Sequence, residues 1–503
     1  MTWWFLVVTW PLLHLGDVVH ARRAEPDVDY PQLPRPHQEP WLPQVHHQQR
    51  SRRPSSRDDH LWQPQQMAQQ RRTNLDREAW LPQVVQQSHS GLLDVSWAPE
   101  VQQEQQTQIK VVSTWPEQRP QEESCMIDFD DVPKKHIHPF LVRRDRNEFL
   151  YPDLEGGRKA VKLASNSTVL ASCPGSKNHL LWNGRPYAPL TCRGSSLVMD
   201  GQLVTWAELG CRKKPKPDFK HERRCGRGAR THTIGWQVYP GVFIPQITIC
   251  FYRRQETTVY AKHIIHGRNI DAKMVEPPRP SFKRGKMFSR EVITRYTKKS
   301  QKTLFRNLLN TTKHLTAEGQ HYLAKGHLAP DADFVLEAEQ DATYYYANVV
   351  PQWQAVNNGN WKKLEAALRE LAIKRNATLS VWTGTHGVLQ LPDTFSNPVR
   401  LYLGLARGKE VLPVPALMWK VIYDPSTSAA VAIVMVNDVR GLGTSDWSSL
   451  REPLCPDVCH RLPWVTWNTS DHRRGMTFCC TVDALRSTIS DLPSLGPVRL
   501  LRR

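Results

Sequence analysis

Long apolar runs are scarce in this sequence, and so is negative charge. Past Leu15 there is no stretch of about 18 unbroken apolar residues, so no membrane-spanning helix is expected and no membrane partner is read from the chain. The one early run, residues 3–15, is too short to cross a bilayer. It ends near Val19-His20-Ala21, a small-residue pattern of the kind that closes a secretory signal. No lysine or arginine precedes Arg22, which fits an Arg-rich mitochondrial presequence poorly. Acidic side chains number 48 against 67 basic ones, a formal charge of +19 that suits a polyanionic partner such as nucleic acid, an anionic glycan or a membrane surface. Simple solubility of a basic secreted protein is the plainer reading of the same number.

Apolar periodicity is missing from residues 22–124, which are rich in Gln, Pro, Arg and His, and this arm is expected to be disordered. Inside it Glu39-Pro40-Trp41-Leu42-Pro43-Gln44-Val45 recurs as Glu78-Ala79-Trp80-Leu81-Pro82-Gln83-Val84. Two copies are too few for a solenoid and read as docking motifs or a leftover duplication. No odd cysteine is left over among the ten. An even count beside a secretory signal suits disulfides in an oxidising compartment, although Cys455, Cys459, His460, Cys479 and Cys480 also have the residue types of a zinc site. Pairing does not follow from spacing. Sequons at Asn166, Asn310, Asn376 and Asn468 agree with a secreted, extracellular glycoprotein.

Patterned sequence begins at Cys125. Short apolar runs separated by Gly, Pro and Asn turns predict a small β-rich, disulfide-pinned module over 125–250. Residues 212–230 hold nine Lys or Arg against two acids, either a solvated face or a phosphate-contacting surface fixed by Cys211 and Cys225. Residues 257–265 read as the opening strand of a second domain over 251–490, followed by a tail, 491–503. Residues 283–306 carry nine basic side chains and one acid, Glu291, with apolar positions at partly helical spacing. They predict one basic amphipathic helix whose charged face is either solubilising or backbone-tracking. Leu364, Leu368 and Leu371 continue the spacing of Trp361 and predict a helix to about residue 374. The β-branched runs after it predict strands of one sheet, and the Cys-rich end from 450 a pinned flap.

The chemistry concentrates between Tyr322 and Glu365. Ala324-Lys325-Gly326-His327-Leu328-Ala329-Pro330 puts a histidine on a tight glycine turn, and Asn357 opens a helical segment whose dipole favours an anion. An imidazole is a base at neutral pH, and an amide oxygen is a hard ligand for Mg2+ that keeps most of its waters. Taken singly, His327 reads as structural, Asn357 as an N-cap, and Glu365 with Arg369 as a surface ion pair.

Together, these residues resemble the DNA/RNA non-specific endonucleases with a ββα-metal site. The family pattern Asp-Arg-Gly-His-x-Ala-Pro, Asn-x-x-Pro-Gln and Asn-x-x-x-Trp-x-x-Leu-Glu stands here as Ala324–Pro330, Asn348-Val349-Val350-Pro351-Gln352 and Asn357-Asn358-Gly359-Asn360-Trp361-Lys362-Lys363-Leu364-Glu365. The likeness covers roughly 250–490, and with the Cys-rich module it looks most like secreted arthropod nucleases. It implies an α+β fold: a ββα-metal nuclease domain with a central mixed or antiparallel sheet, preceded by the small β-rich disulfide module and the disordered arm. It also implies His327 as general base, Asn357 as ligand of one Mg2+ (or Mn2+), Asn348 and Glu365 orienting the metal and its waters, and Arg369 as a phosphate contact. Lys325 stands where the family has Arg and keeps a point charge without the bidentate fork. Ala324 stands where it has Asp and removes a carboxylate anchor. The implied activity is a sugar-non-specific endonuclease that contacts DNA and RNA backbones, single or double stranded, and leaves 5′-phosphate ends; a homodimer is compatible with it. The rival is a secreted nucleic-acid-binding protein that kept the fold without cleavage, and charge alone also admits a glycan-binding protein.

Overall fold

The computed structural model describes residues 123–502, except 134, 227, 275–277, 316–320 and 441–453. The expected signal segment, the repeat and nearly all of the arm lie outside the described residues.

Nine strands form one sheet, in the order Asp218–Gly226, Ala229–Tyr239, Val242–Tyr252, Thr257–His266, Thr378–His386, Leu417–Asp424, Ala429–Val436 and Thr477–Cys480, with Arg499–Leu500 also on Ala429–Val436. Every pairing is antiparallel but the last, which is parallel. Alternation along Leu417–Asp424 explains how this sheet is covered on both faces. Met418 and Ile422 enter the larger core, while Trp419 and Val421 enter a second one with Leu485 of the helix Val482–Thr488. Ala429–Val436 is buried at every position, which is why it reads as an unbroken apolar run.

Two smaller sheets precede it. One orders Ser124–Asp128, Arg158–Ala164 and Asp153–Glu155; the other is six-stranded and built mainly from Phe140–Arg143, Thr168–Ser172 and Tyr187–Arg193. They join the large core directly, with the Phe140 and Trp236 rings 4.7 Å apart. The division placed at 250/251 falls inside strand Val242–Tyr252, which is hydrogen-bonded on both edges, and Thr257–His266 is the fourth strand of the sheet rather than its opening. The basic loop is largely the edge strand Asp218–Gly226.

All ten cysteines pair: Cys125–Cys192, Cys173–Cys211, Cys225–Cys250, Cys455–Cys480 and Cys459–Cys479. The last two bonds replace the zinc alternative. The C-terminal region is not a flap, because Thr477–Cys480 and Arg499–Leu500 are strands of the central sheet. Residues 283–306 do not make one helix either. A short helix, Val292–Arg295, stops before Thr297, whose side chain accepts from Ser300 N and starts the separate helix Lys298–Leu309.

Candidate active site

Strand Leu323–His327 pairs antiparallel with Val349–Trp353, from Leu323 opposite Trp353 to His327 opposite Val349. The chain then enters a helix that starts at Gln354, widens over Asn357–Trp361 and continues as Lys362–Arg375. The resemblance implied this ββα unit with a return strand through 344–350 and a helix from Asn357, and the structure differs in two respects. The return strand begins at Val349, after a turn at Tyr346–Asn348, and the helix begins three residues before Asn357. Asn357 is therefore not an N-cap; its φ and ψ of −58° and −47° are helical, and it sits where the helix turn widens.

The widening has a tertiary cause. Gly359 has ψ −125° and packs against residues 468–475: Asn360 N donates to Arg474 O at 2.8 Å, and Asn360 Nδ2 donates to Asn468 O and Gly475 O. A Cβ on Gly359 would lie 2.4 Å from Arg474 O, so only glycine fits. Gly326 is needed for room as well, and not for a turn. It lies in the strand, where an added Cβ would stand 2.3 Å from Gln352 Oε1 on the partner strand.

A cleft of about 650 Å3 gathers Lys325, His327, Asn357, Glu365 and Arg369, five of the six expected site residues. Asn348 is the sixth and lies beneath it. Fully buried, it donates through Nδ2 to Ala329 O (2.8 Å) and Thr343 O (3.0 Å), and its Oδ1 accepts from Ala329 N (3.0 Å). Both amide hydrogens and one lone pair of Oδ1 are engaged with backbone, so the side chain holds the segment after His327 in place. Lys325 sits among rings, its Nζ 5.3, 5.6 and 5.9 Å from the centroids of Phe282, Tyr296 and Tyr346. Burial lowers its pKa from the ordinary lysine value.

His327 packs between Phe282 and Tyr344, with centroids 5.3 and 5.1 Å away, and its Nε2 is buried without a hydrogen-bond partner among the described residues. Burial brings its pKa down to about 4; the positive charges of Arg279 and Lys420 act in the same direction and Asp331 opposes them. The ring is neutral at pH 7 and able to accept a proton. Glu365 is half-buried, and among the described residues its carboxylate makes no hydrogen bond or ion pair. Burial, helped by Asp333 and Asp331, outweighs Lys420 and Arg369 and pushes it up to about 7.

Arg369 does not pair with Glu365. Its NH1 donates to Asp333 Oδ1 at 2.8 Å, while Asp333 Oδ2 meets His263 Nε2 at 2.9 Å. Burial opposes ionisation of Asp333, yet the His263 hydrogen bond and the Arg369 charge hold its pKa below the usual carboxylate range. Lys420, fully buried, donates to Leu328 O (3.2 Å) and Thr383 Oγ1 (2.7 Å) and lies 4.8 Å from the Trp361 ring. The central sheet thereby grips both the His327 segment and the Asn357 turn.

Sequence reasoning missed His263, Asp333, Asp331, Arg279 and Tyr344. One signal was readable: in Thr257–His266 the buried positions alternate as Ala261, His263 and Ile265, which puts an ionisable group on a core face. Asp331, whose Oδ2 accepts from Tyr344 OH at 2.6 Å, had none.

Comparison with known proteins bears on the same segments. The family model for DNA/RNA non-specific endonucleases matches residues 229–485. The chain is similar to the salivary endonuclease of Lutzomyia longipalpis, 26% identical over 72% of this chain and 82% of that protein. It is also similar to salivary protein Tsal1 of Glossina morsitans morsitans, 25% identical over 72% of this chain and 90% of that protein. The mitochondrial nuclease EXOG of Danio rerio is 34% identical over 23% of this chain and 34% of its own length. Among solved structures, a chain of an EndoG/EndoGI complex aligns over 39% of this chain and 72% of its own, with 20% identity and a TM-score of 0.27.

Proposed function

The chain belongs to the DNA/RNA non-specific endonuclease family, and on that premise we propose a secreted, Mg2+-dependent enzyme that cleaves DNA and RNA, double strands included, with His327 as general base. The observation that carries this reading is the pair of unpartnered groups at one cleft, His327 Nε2 and the Glu365 carboxylate, beside Asn357 and Arg369. A half-buried carboxylate that makes no hydrogen bond or ion pair among the described residues, next to an amide oxygen, is a donor set suited to a hard divalent ion that keeps most of its waters. Asn357 would bind it directly and Glu365 would orient its waters. Bound there, Mg2+ (or Mn2+) would neutralise charge on the phosphoryl and leaving oxygens.

The protein's own groups supply the rest. His327, neutral because it is buried, takes the proton of the attacking water. Arg369, clamped by Asp333 and through it by His263, presents a fixed cation to the scissile phosphate. Lys325 adds a point charge at the cleft wall. Five disulfides suit an oxidising compartment, and the salivary proteins it resembles support secretion. Ala324 and Lys325 favour a second reading, binding without cleavage, because the family's carboxylate and its bidentate arginine are both replaced.

Metal binding is testable without catalysis. Mg2+ should raise the melting temperature of the full chain, and Asn357→Ala should remove most of that rise at equal Mg2+. An undiminished shift in Asn357→Ala would take this residue out of the metal site.

A further inference from the structure

The helix Lys298–Leu309 has no role in the chemistry above, yet it is built against the catalytic strand. Its sequence, Lys-Lys-Ser-Gln-Lys-Thr-Leu-Phe-Arg-Asn-Leu-Leu, contains four cations and no acid. Gln301, Phe305 and Leu309 are buried, while Lys298, Lys299, Lys302 and Arg306 are exposed. Among the described residues none of these four pairs with a carboxylate. A solubilising face would explain that much, and two further contacts set this helix apart.

The first is a clamp. Gln301 Nε2 donates to Leu323 O at 2.8 Å and its Oε1 accepts from Leu323 N at 2.8 Å, so the buried amide pairs with the start of the strand that ends at His327 as a neighbouring strand would. Gln301 Nε2 also donates to Tyr296 O at 3.1 Å, fixing the turn before the helix. The second is placement. Lys298 Nζ lies 4.4 Å from the centroid of the Tyr322 ring, and Tyr322 lines the catalytic cleft. The row of charges therefore starts at the cleft rim, in fixed register with His327.

We propose that the exposed face of Lys299, Lys302 and Arg306 binds the phosphate backbone of nucleic acid where a long substrate leaves the cleft. The inference rests on the nuclease reading and names what that reading leaves open, how substrates longer than the cleft are held. Leu323 to His327 spans about 13 Å of strand and Lys298 to Arg306 about 12 Å of helix. Starting beside the far end of the strand from His327, the row would meet the backbone several base pairs from the cut. Among the described residues Lys299, Lys302 and Arg306 stack on no ring, so they would contact phosphates and not read bases. A sulfated glycan carries similar charge, but it does not occupy the cleft from which a substrate strand would be led onto this row.

The test uses the full chain with Lys299→Gln, Lys302→Gln and Arg306→Gln combined. Binding of a duplex of about 30 base pairs is measured in EDTA across a salt series, and cleavage with Mg2+ is measured on that duplex and on an oligomer of about six nucleotides. The salt slope should fall by about 2 to 3 and affinity for the long duplex about tenfold or more, with kcat and KM on the short oligomer unchanged. An unchanged slope, equal losses on both lengths, or a loss confined to heparin would overturn the proposal. If the wild type cleaves nothing, the nuclease reading fails by itself, and the slope in EDTA still decides whether this face binds nucleic acid.

Discussion

Glu339 shows how far burial moves a single group in this protein. It is 2% exposed, its Oε1 accepts from Tyr151 OH at 2.8 Å and its Oε2 from Leu336 N at 3.1 Å. Both bonds favour the charged form, but burial dominates and pushes the carboxyl up to about 7. Because the folded pKa is raised, the stabilisation is complete below the ordinary carboxylate range and is lost as pH rises through about 7, on the order of 3 kcal/mol in all. Between pH 5 and pH 8 the wild type should therefore lose melting temperature relative to Glu339→Gln, because the buried histidines and Glu365 titrate alike in both proteins. Equal pH dependence in both proteins would show that Glu339 is not the group responsible. The site residues divide in the same physical terms. His327, Asn357 and Glu365 were legible because their chemistry and spacing lie within 39 residues of chain (327 to 365, inclusive). The Arg369–Asp333–His263 chain was not, since it joins residues about a hundred positions apart, and Arg369 was read as the partner of Glu365 only because they are four apart on one helix.

At the scale of elements, the wide turn at Asn357–Trp361 is the feature that local pattern hides. The apolar stripe of Trp361, Leu364, Leu368 and Leu371 is that of an ordinary helix, and the bulge arises from residues 468–475, more than a hundred positions later. Gly359→Ala would put a methyl group 2.4 Å from Arg474 O and 2.8 Å from Arg474 Cβ. Either the segment 468–475 or the Asn357 turn must shift, at a cost of about 1–3 kcal/mol, and activity should fall with stability. Denaturant unfolding at wild-type midpoint would refute this account of the kink. The split between Val292–Arg295 and Lys298–Leu309 was in principle readable, since Thr297 is a good N-cap inside a run taken as one helix.

For the whole molecule, strand alternation and the even cysteine count announced a β-rich, disulfide-bonded protein, and α+β was the correct class. What they did not announce was that the sheet starts at Asp218, because edge strands rich in Lys and Arg look like loops. The Cys225–Cys250 bond lies within that sheet, between residues expected at the end of a separate module. This breadth suits the role proposed for the sheet. Lys420 and His263, from two of its strands, bond to Leu328 and Asp333 and so tie the candidate cleft to the sheet.

The most direct measurement places long double-stranded RNA and plasmid DNA with the purified chain and with His327→Ala, each with Mg2+ and with EDTA, beside binding at the same salt. The account predicts fragments from the wild type only with Mg2+, and none from His327→Ala while its binding stays near normal, because a base is needed only in the chemical step. Near wild-type turnover by His327→Ala would contradict the assignment of the base. Tight binding with no fragments from the wild type would contradict catalysis itself and point to Ala324 and Lys325 as the place where it was lost.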